Sequence, residues 1–389
     1  MPAECGIAAE IKVARRLRAE LAARAQEFEQ QRQIAPELMH QMFDAGMVQM
    51  AVPAVYGGSE RPLRDTLEVI EEIARGDASA AWCLMNYQTT AFVAGLLSPS
   101  AAKVVFTGSV KAIPAGVLAP TARGRLGDDG LVVNGRWSFA SGVDHANWLL
   151  GTVVIEDSTG TPITNPDGSL NVVLPFFSRD QFTIIDTWQV SGLCASGSHD
   201  VEVKDAFVPR GRWLTLADPV VVDTPLYRFP LLSTFPPCVA MVSLGTARAA
   251  LDGFVELANH KVPAGGTASL RERGSAQIAI ARAEAMVEAA RAYVFATVDT
   301  LWGDVEQGRP ASIEARRQIR LAGTFAAQVA AEAITLLYDA AGASAIQLSH
   351  ALQRHLRDAR VVTQHLQVSS AGFERMGQLL LTGDQAGPL

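Results

Sequence analysis

The first third of the chain has the spacing of helices. One set of apolar residues falls at steps of three and four, so that its members share a helix face: Leu63, Leu67, Ile70, Ile73 and Ala74. Pro53 and the pair Gly57-Gly58 interrupt this pattern, which predicts a turn within AVPAVYGGSERP. We therefore predict a helical subdomain over residues 1–110.

The pattern changes to short β-branched and aromatic runs between residues 111 and 220. Asp129-Gly130 and Asn134-Gly135 are both pairs typical of hairpin turns, and they stand among alternating strand residues in DDGLVVNGRWSFASG. NVVLPFF, QFTIID and HDVEVKDAFVP continue the strand pattern. This part of the chain predicts a middle subdomain that is a small antiparallel β-barrel or sandwich.

Helical spacing returns after Pro230 in long, Ala-rich stretches with wide apolar faces. The predicted stretches run over residues 251–257, 276–301, 313–341 and 351–368. They predict a four-helix bundle as the C-terminal subdomain, over residues 221–389. The order helical, β, helical gives an α+β protein of three subdomains.

Composition excludes several classes of function. Of 389 residues, 49% are hydrophobic and 19% charged, without an apolar run of about 18 residues, so a membrane span is not expected. The net charge of -7 argues against a nucleic-acid partner, which would require clustered Lys and Arg. Four widely separated cysteines and scattered histidines predict no metal site and a reducing compartment, and the absence of a signal pattern favours the cytoplasm.

The common catalytic signatures are missing. Gly124, Gly127 and Gly130 have the wrong spacing for the GxGxxG loop that holds a dinucleotide, so no nicotinamide site is expected. The sequence also contains no Walker loop, no HExxH and no GxSxG. These absences narrow the search to chemistry that depends on another cofactor or on binding alone.

Several motifs in the same order resemble one known superfamily. AVPAVYGG followed by EEIARGDASAAW is similar to the N-terminal part of the acyl-CoA dehydrogenases. GRWSFASGVDHANW, GLCASGSHDVEVKDAFVP and RHLRDARVVTQH resemble a branch of that superfamily, the oxygenase components of two-component (group D) flavin-dependent monooxygenases. The resemblance covers nearly the whole chain and implies an acyl-CoA dehydrogenase-like fold.

The resemblance also implies a reaction. In such enzymes a separate reductase supplies reduced FMN or FAD, oxygen adds to give a C4a-hydroperoxyflavin, and a small aromatic or heteroaromatic molecule is hydroxylated. A desaturase of the acyl-CoA dehydrogenase type is the alternative, but it needs a carboxylate base. After Arg360 the residues VVTQHLQVSS contain no acid before Glu374. A binding protein without flavin is a third possibility.

The segment WSFASG suits the edge of a flavin. On a regular strand Trp137 and Phe139 share one face, and Ser141 and Gly142 follow where the strand ends. A hydroxyl and a free backbone amide there would reach N5 and the C4 carbonyl of the flavin. Two aromatic residues on one face are also typical of a plain core, so pattern alone does not decide between the two.

The segment GLCASGSHD offers a second group of flavin-binding candidates. Ser196 and Ser198, as exposed hydroxyls among small residues, suit a phosphate or flavin tail. Relatives more often have Arg or Lys and Gly where this chain has Cys194 and Ala195. The other interpretation of the segment is an ordinary loop.

His365 is the candidate general acid, because its place in RDARVVTQH matches a histidine beside the flavin in relatives. A nearly neutral imidazole can hydrogen-bond a peroxide and supply or hold a proton. A satisfied structural histidine on a helix is the simpler interpretation.

Arg273 and Gln277, four residues apart in LRERGSAQ, match residues that reach the flavin from a neighbouring subunit in relatives. Gly342 matches a small-residue turn near the flavin. These matches and the apolar helix faces predict a homotetramer, or at minimum a dimer. An ordinary surface with salt bridges is the alternative for the Arg273 segment.

Asn86, Tyr87 and Thr90 are the candidate substrate-pocket residues. Several relatives that hydroxylate phenols have a histidine where this chain has Thr90. Its absence favours an indole-like ring, an already activated ring or a heteroatom as the site of oxidation.

Overall fold

A computed structural model describes residues 9–264 and 267–383, in which one group of helices precedes a sheet along the chain and a second group follows it. The two groups of helices also contact each other, since the α-helices Leu63–Ala74 and Ala78–Ala91 pack against the helix Leu231–His260. The predicted α+β order of helices, strands and helices is confirmed. The predicted boundaries near residues 110 and 220 fall in segments between elements, and as divisions between subdomains they remain predictions.

Within the described residues, five α-helices precede the sheet: α1 (Ala9–Gln31), α2 (Pro36–Asp44), α3 (Leu63–Ala74), α4 (Ala78–Ala91) and α5 (Pro99–Phe106). Helix α4 carries residues of the candidate site. Asp77 caps α4, and its carboxylate accepts a hydrogen bond from the Ala80 amide at 2.8 Å. The predicted turn between α2 and α3 is confirmed, with Gly57 at a φ of 85° that favours glycine.

Seven strands form one mixed sheet in the order β5-β6-β2-β1-β3-β4-β7. They are β1 (Pro114–Leu126), β2 (Gly130–Ala140), β3 (Trp148–Glu156), β4 (Val172–Ser178), β5 (Thr183–Ile185), β6 (His199–Pro209) and β7 (Trp213–Leu214). The prediction of an antiparallel subdomain is wrong for one pair, since β1 and β3 run parallel. The chain crosses from β2 to the far edge of β1, so β3 does not pair with its predecessor.

One predicted hairpin is confirmed and one is wrong. Asp129-Gly130 closes the turn between β1 and β2. Asn134-Gly135 lies inside β2, where a Cβ on Gly135 would stand 2.3 Å from the Ala122 side chain. Glycine is needed there for close strand packing rather than for a turn.

Six helices follow the sheet: α6 (Pro225–Arg228), α7 (Leu231–His260), α8 (Gly274–Glu306), α9 (Ile313–Ala341), α10 (Ala351–Val362) and α11 (Ala371–Thr382). The long helices α7, α8 and α9 pack together, and α10 lies against α7 and α9. The last predicted helical stretch ends at Val362 instead of Val368. Two helical segments, Leu231–His260 and Ile313–Ile346, have the length and apolarity of a membrane span, but 72% and 61% of their apolar windows are buried inside the protein, as in core helices.

Candidate active site

Three hydroxyl groups and one indole form a buried hydrogen-bonded chain at the end of β2. The Trp82 Nε1–H of α4 donates to Ser141 Oγ at 2.8 Å. Ser198 Oγ donates to the same oxygen at 2.9 Å and lies 2.7 Å from Ser196 Oγ. The three serines are at most 4% exposed. An indole can only donate, so the two contacts occupy both lone pairs of Ser141 and leave its own proton free.

The 196–198 segment differs from the prediction in one respect. We expected the hydroxyls of Ser196 and Ser198 to be exposed, but they are buried and bonded to each other and to Ser141. They do not present an open anion site.

His365 lies beside Trp82, in the turn after α10 rather than on a helix. The two rings meet edge to face, with centroids 5.3 Å apart. Its Nδ1 accepts a hydrogen bond from the Gln367 amide at 3.3 Å, which assigns the proton of the neutral ring to Nε2. Burial, with a smaller contribution from the Arg320 guanidinium, lowers the pKa of His365 to about 4. The imidazole is therefore neutral near pH 7.

Arg320 of α9 orders the turn that carries His365. Its Nη2 donates to the Leu366 carbonyl at 2.7 Å and its Nη1 donates to Gln367 Oε1. The same guanidinium thus fixes the backbone after His365 and opposes protonation of its ring.

Trp137 and Phe139 do not share a face, so that prediction is wrong. The pairing of β2 with β6 shifts between Trp137 and Ala140, and Phe139 takes a φ of 67°. Trp137 consequently points into the core, fully buried, and its Nε1–H donates to the Thr152 carbonyl at 2.9 Å. The side chain of Phe139 is 69% exposed and meets Trp188 edge to face at 5.9 Å.

The free backbone amide expected at the strand end is absent at Ser141 and Gly142. The Ser141 amide donates to the Phe139 carbonyl at 2.9 Å, and the Gly142 amide donates to the Ser196 carbonyl at 2.8 Å. Gly142 has a φ of 72° and no space for a Cβ, which would stand 2.2 Å from the Tyr87 hydroxyl. Gly142 therefore closes the strand end against α4.

The three candidate substrate residues of α4 pack against the sheet. Asn86 forms two hydrogen bonds with the backbone of Gly116, at 3.0 and 2.9 Å. The Tyr87 hydroxyl donates to the Gly142 carbonyl at 2.6 Å, and Thr90 is buried against Gly116. The polar groups of Asn86 and Tyr87 are thus occupied within the chain.

Arg273, Gln277 and Gly342 belong to another part of the molecule. Arg273 caps α8, and Gln277 Nε2 donates to the Arg271 carbonyl at 3.0 Å beside the C-terminal part of α7. Gly342 follows α9, where Lys261 donates to the preceding carbonyl, of Ala341. Within one chain these residues form no part of the chain of hydrogen bonds around Ser141.

Sequence reasoning missed Trp82, Trp188 and Arg320. Trp82 precedes Asn86 and Thr90 by four and eight residues. Helical spacing therefore places it on the same face of α4 as these candidate substrate-pocket residues. Trp188 and Arg320 carried no comparable signal, because only the folded chain brings them to Phe139 and to the turn of His365.

Comparison with known proteins identifies the family of this chain. Residues 9–99 match the N-terminal domain model of acyl-CoA dehydrogenases, and residues 237–370 match the C-terminal domain model. An indole-3-acetate monooxygenase of Pseudomonas putida is 31% identical over 357 residues, which cover 92% of this chain and 90% of that protein. The oxygenase component of an FADH2-dependent resorcinol hydroxylase of Rhizobium sp. is 26% identical, with coverage of 92% and 89%.

A crystal structure of 3-HSA hydroxylase from Rhodococcus sp. RHA1 superposes with a TM-score of 0.90 and 25% identity over 98% of each chain. The predicted fold and enzyme class are confirmed by these similarities. The chain belongs to the flavin-dependent monooxygenases of the acyl-CoA dehydrogenase superfamily, as an oxygenase component that uses reduced flavin delivered by a separate reductase.

Proposed function

We propose that this oxygenase hydroxylates a small aromatic or heteroaromatic ring, such as an indole, at a site between Ser141, Trp82 and His365. The observation that carries the proposal is the convergence of these three side chains from the end of β2, from α4 and from the turn after α10. Each comes from a different part of the chain, and together they present a hydroxyl donor, an aromatic edge and a neutral imidazole.

The strand end fits a flavin ring. Phe139 offers an exposed apolar surface next to Trp188, and the adjacent Ser141 has one proton left to donate to a heteroatom at the ring edge. Trp137, enclosed in the core, supports the strand and does not contact the cofactor. When bound, the reduced flavin supplies the electrons for oxygen activation.

His365 fits a role in holding a proton rather than releasing one. With a pKa of about 4, almost none of the ring is protonated near pH 7, so it has no extra proton to give as a general acid. Its Nε2–H is instead a neutral hydrogen-bond donor, held in that tautomer by the Gln367 amide. The partly buried ring and the edge of Trp82 restrict water at this position, which protects a reactive oxygen species from hydrolysis.

The segment that follows Arg360 offers no base for the desaturase alternative, since the sequence has no acid between Arg360 and Glu374. Among the described residues, Ser141, Trp82 and His365 form hydrogen bonds with an indole, a hydroxyl and a backbone amide, and none with a carboxylate. Abstraction of the α-proton of a thioester requires a carboxylate of that kind. Oxygenation requires none, so the geometry favours hydroxylation.

The substrate class follows from relatives and from Thr90. The Pseudomonas putida relative is named for indole-3-acetate and the Rhizobium relative for resorcinol. Thr90 is buried against Gly116 and supplies no base for a phenol. An electron-rich ring that needs no deprotonation, such as an indole, is therefore the better fit.

We further propose a cytoplasmic homotetramer that receives flavin by diffusion or through transient contact with the reductase. Several large apolar side chains of the C-terminal part of the chain are strongly exposed in one chain, as expected for an interface: Ile278, Leu366, Leu380 and Leu381. Arg273 and Gln277 would then reach the flavin of a neighbour. Among the described residues, Cys83, Cys194 and Cys238 are free, which agrees with a reducing compartment.

The test is direct. The purified protein is titrated anaerobically with reduced FMN and, separately, reduced FAD, then mixed with oxygen and indole, indole-3-acetate or resorcinol. Stoichiometric flavin binding and a hydroxylated product are expected for at least one indole. Desaturation of an acyl-CoA without oxygen incorporation would replace the oxygenase proposal, and a failure to bind reduced flavin would refute the site.

A further inference from the structure

Asp358 of α10 connects the serine segment to the helix that leads to His365. Its buried Oδ1 accepts a hydrogen bond from the Leu193 amide at 2.7 Å. Leu193 has a φ of 52°, a left-handed conformation that costs energy for a residue with a Cβ and needs support from its surroundings. Gly192 lies against the backbone of α10, where a Cβ would stand 2.4 Å from the Arg357 carbonyl.

Leu193 transmits this contact to the candidate site. Its carbonyl accepts hydrogen bonds from the Ser196 amide at 3.0 Å and from Trp188 Nε1 at 3.0 Å. The first contact begins the turn that brings Ser196 and Ser198 to Ser141, and the second fixes the indole against which Phe139 packs. The Leu193 carbonyl thus contacts both the turn that leads to Ser198 and the indole that supports Phe139.

The same buried region reaches α4, the helix of Trp82. Asp77 caps α4, and the charge of the buried Arg354 acts on the carboxyl groups of both Asp77 and Asp358. The segments that supply Ser198, His365 and Trp82 therefore meet around one group of buried charges. None of these charged side chains forms a hydrogen bond with Ser141 or His365.

We propose that Asp358 is a positioning residue for the oxygenase site: through the Leu193 amide it fixes the 192–198 segment so that Ser198 orients the Ser141 hydroxyl and Trp188 supports Phe139. The expected effect of Asp358 on coupling rests on the proposed function, because it requires flavin to bind beside Ser141 and Phe139. The effect on the segment itself depends on the described contacts alone.

Two variants separate the hydrogen bond from the charge. Asp358→Asn keeps an oxygen that can accept from the Leu193 amide, whereas Asp358→Ala removes it and leaves a buried amide without a partner. Hydrogen exchange, measured by mass spectrometry on peptides covering residues 188–199, is expected to accelerate on the order of tenfold in Asp358→Ala, as the loss of one buried hydrogen bond implies. Asp358→Asn is expected to stay within about twofold of the parent.

A matched control removes another buried carboxylate. Glu10 is similarly buried, forms ion-paired hydrogen bonds with Arg61 and lies outside the serine segment. Glu10→Ala is expected to lower the overall stability without a selective change in exchange at residues 188–199. This control distinguishes positioning from general destabilisation.

Flavin measurements complete the test. Asp358→Ala should bind reduced FMN or FAD several-fold more weakly and release more hydrogen peroxide per flavin oxidised, with Asp358→Asn restoring both. Unchanged exchange in Asp358→Ala, or an equal defect in Asp358→Asn, would overturn the proposal. If exchange responds as expected but the parent binds no reduced flavin, the positioning of the segment stands and the proposed function fails.

Discussion

The indole of Trp82 stands edge-on to the imidazole of His365, with ring centroids 5.3 Å apart and planes at 84°, while its N–H donates to Ser141. One side chain of α4 thereby joins the residue that follows β2 to the turn that follows α10. Changes on either side should therefore alter how well the oxygenase couples flavin oxidation to product.

Ser141→Ala should uncouple the enzyme. The substitution removes the acceptor of two buried donors, the indole of Trp82 and the hydroxyl of Ser198, at a cost of about 1–3 kcal/mol for each unsatisfied group. We expect several-fold more hydrogen peroxide per flavin oxidised, measured together with product yield. Ser138→Ala, on the same strand but exposed, is the matched control and should equal the parent. Equal coupling in both variants would place the flavin elsewhere.

His365 should act as a neutral donor across the physiological range. Its pKa is lowered from 6.5 to about 4, so the ring stays uncharged above pH 5 and protonates only as the pH falls towards 4. Coupling in the parent should be flat between pH 6 and 8. His365→Gln, which keeps an N–H near the position of Nε2, should retain most of the coupling, whereas His365→Ala should not. A transition near pH 6.5 that disappears in His365→Gln would contradict this assignment.

Asp358 should make the folded state less stable as the pH rises. Burial raises its pKa from 3.8 to about 7, so between these values the folded state binds more protons than the unfolded state. The free energy of unfolding should then fall with rising pH by up to ~1.4 kcal/mol per unit in this window. Denaturant unfolding of the parent and of Asp358→Asn should diverge from pH 4 to 7, with the variant relatively more stable at high pH. Parallel pH profiles would refute the assigned shift.

Gly116→Ala should test the packing of α4 on β1. A Cβ at this position would stand 2.2 Å from Thr90 Oγ1, and overpacking of that kind costs about 1–3 kcal/mol. Thr90→Ala removes the clashing oxygen. In denaturant unfolding the double variant should therefore lose less stability than the two single variants together. Strict additivity would show that the two residues do not compete for space.

The helical parts of the fold were readable because periodicity is local. The three- and four-residue steps around Leu67 and the turn at Gly57 depend on neighbours in sequence, and the structure confirms both. The parallel pairing of β1 with β3 was not readable, because strand partners are chosen by the whole sheet. The prediction of a turn at Asn134-Gly135 was wrong for the same reason. Position 135 needs a glycine because Ala122 of the neighbouring strand leaves no space for a Cβ.

The candidate site was readable only as a set of segments. The motifs pointed to Ser141 and His365, and the structure brings both to Trp82. The strand irregularity that turns Phe139 outward, and the burial of Ser198, depend on contacts between distant segments and have no signature in the local pattern.

Arg273 should act at the flavin site of a neighbouring subunit. In this chain Arg273 begins α8, apart from the cluster around Ser141, so its proposed contact with flavin must be made in a neighbouring subunit. Ser141→Ala and Arg273→Ala should each impair coupling in oligomers that contain only that variant. Differently tagged copies of the two variants, co-expressed and purified through both tags, should regain activity.

In such mixed assemblies, roughly one site in four should pair an intact Ser141 from one chain with an intact Arg273 from another. The reason is that the two variants occupy equivalent positions of a symmetric oligomer, so each half of a site is intact in about half of the cases. Arg282→Ala, an exposed arginine on the same helix, is the matched control and should impair neither coupling nor flavin affinity. Light scattering should give a mass near four times the 41.4 kDa of one chain. A monomeric mass, or mixed assemblies no more active than either variant alone, would confine the whole site to one chain and exclude Arg273 from it.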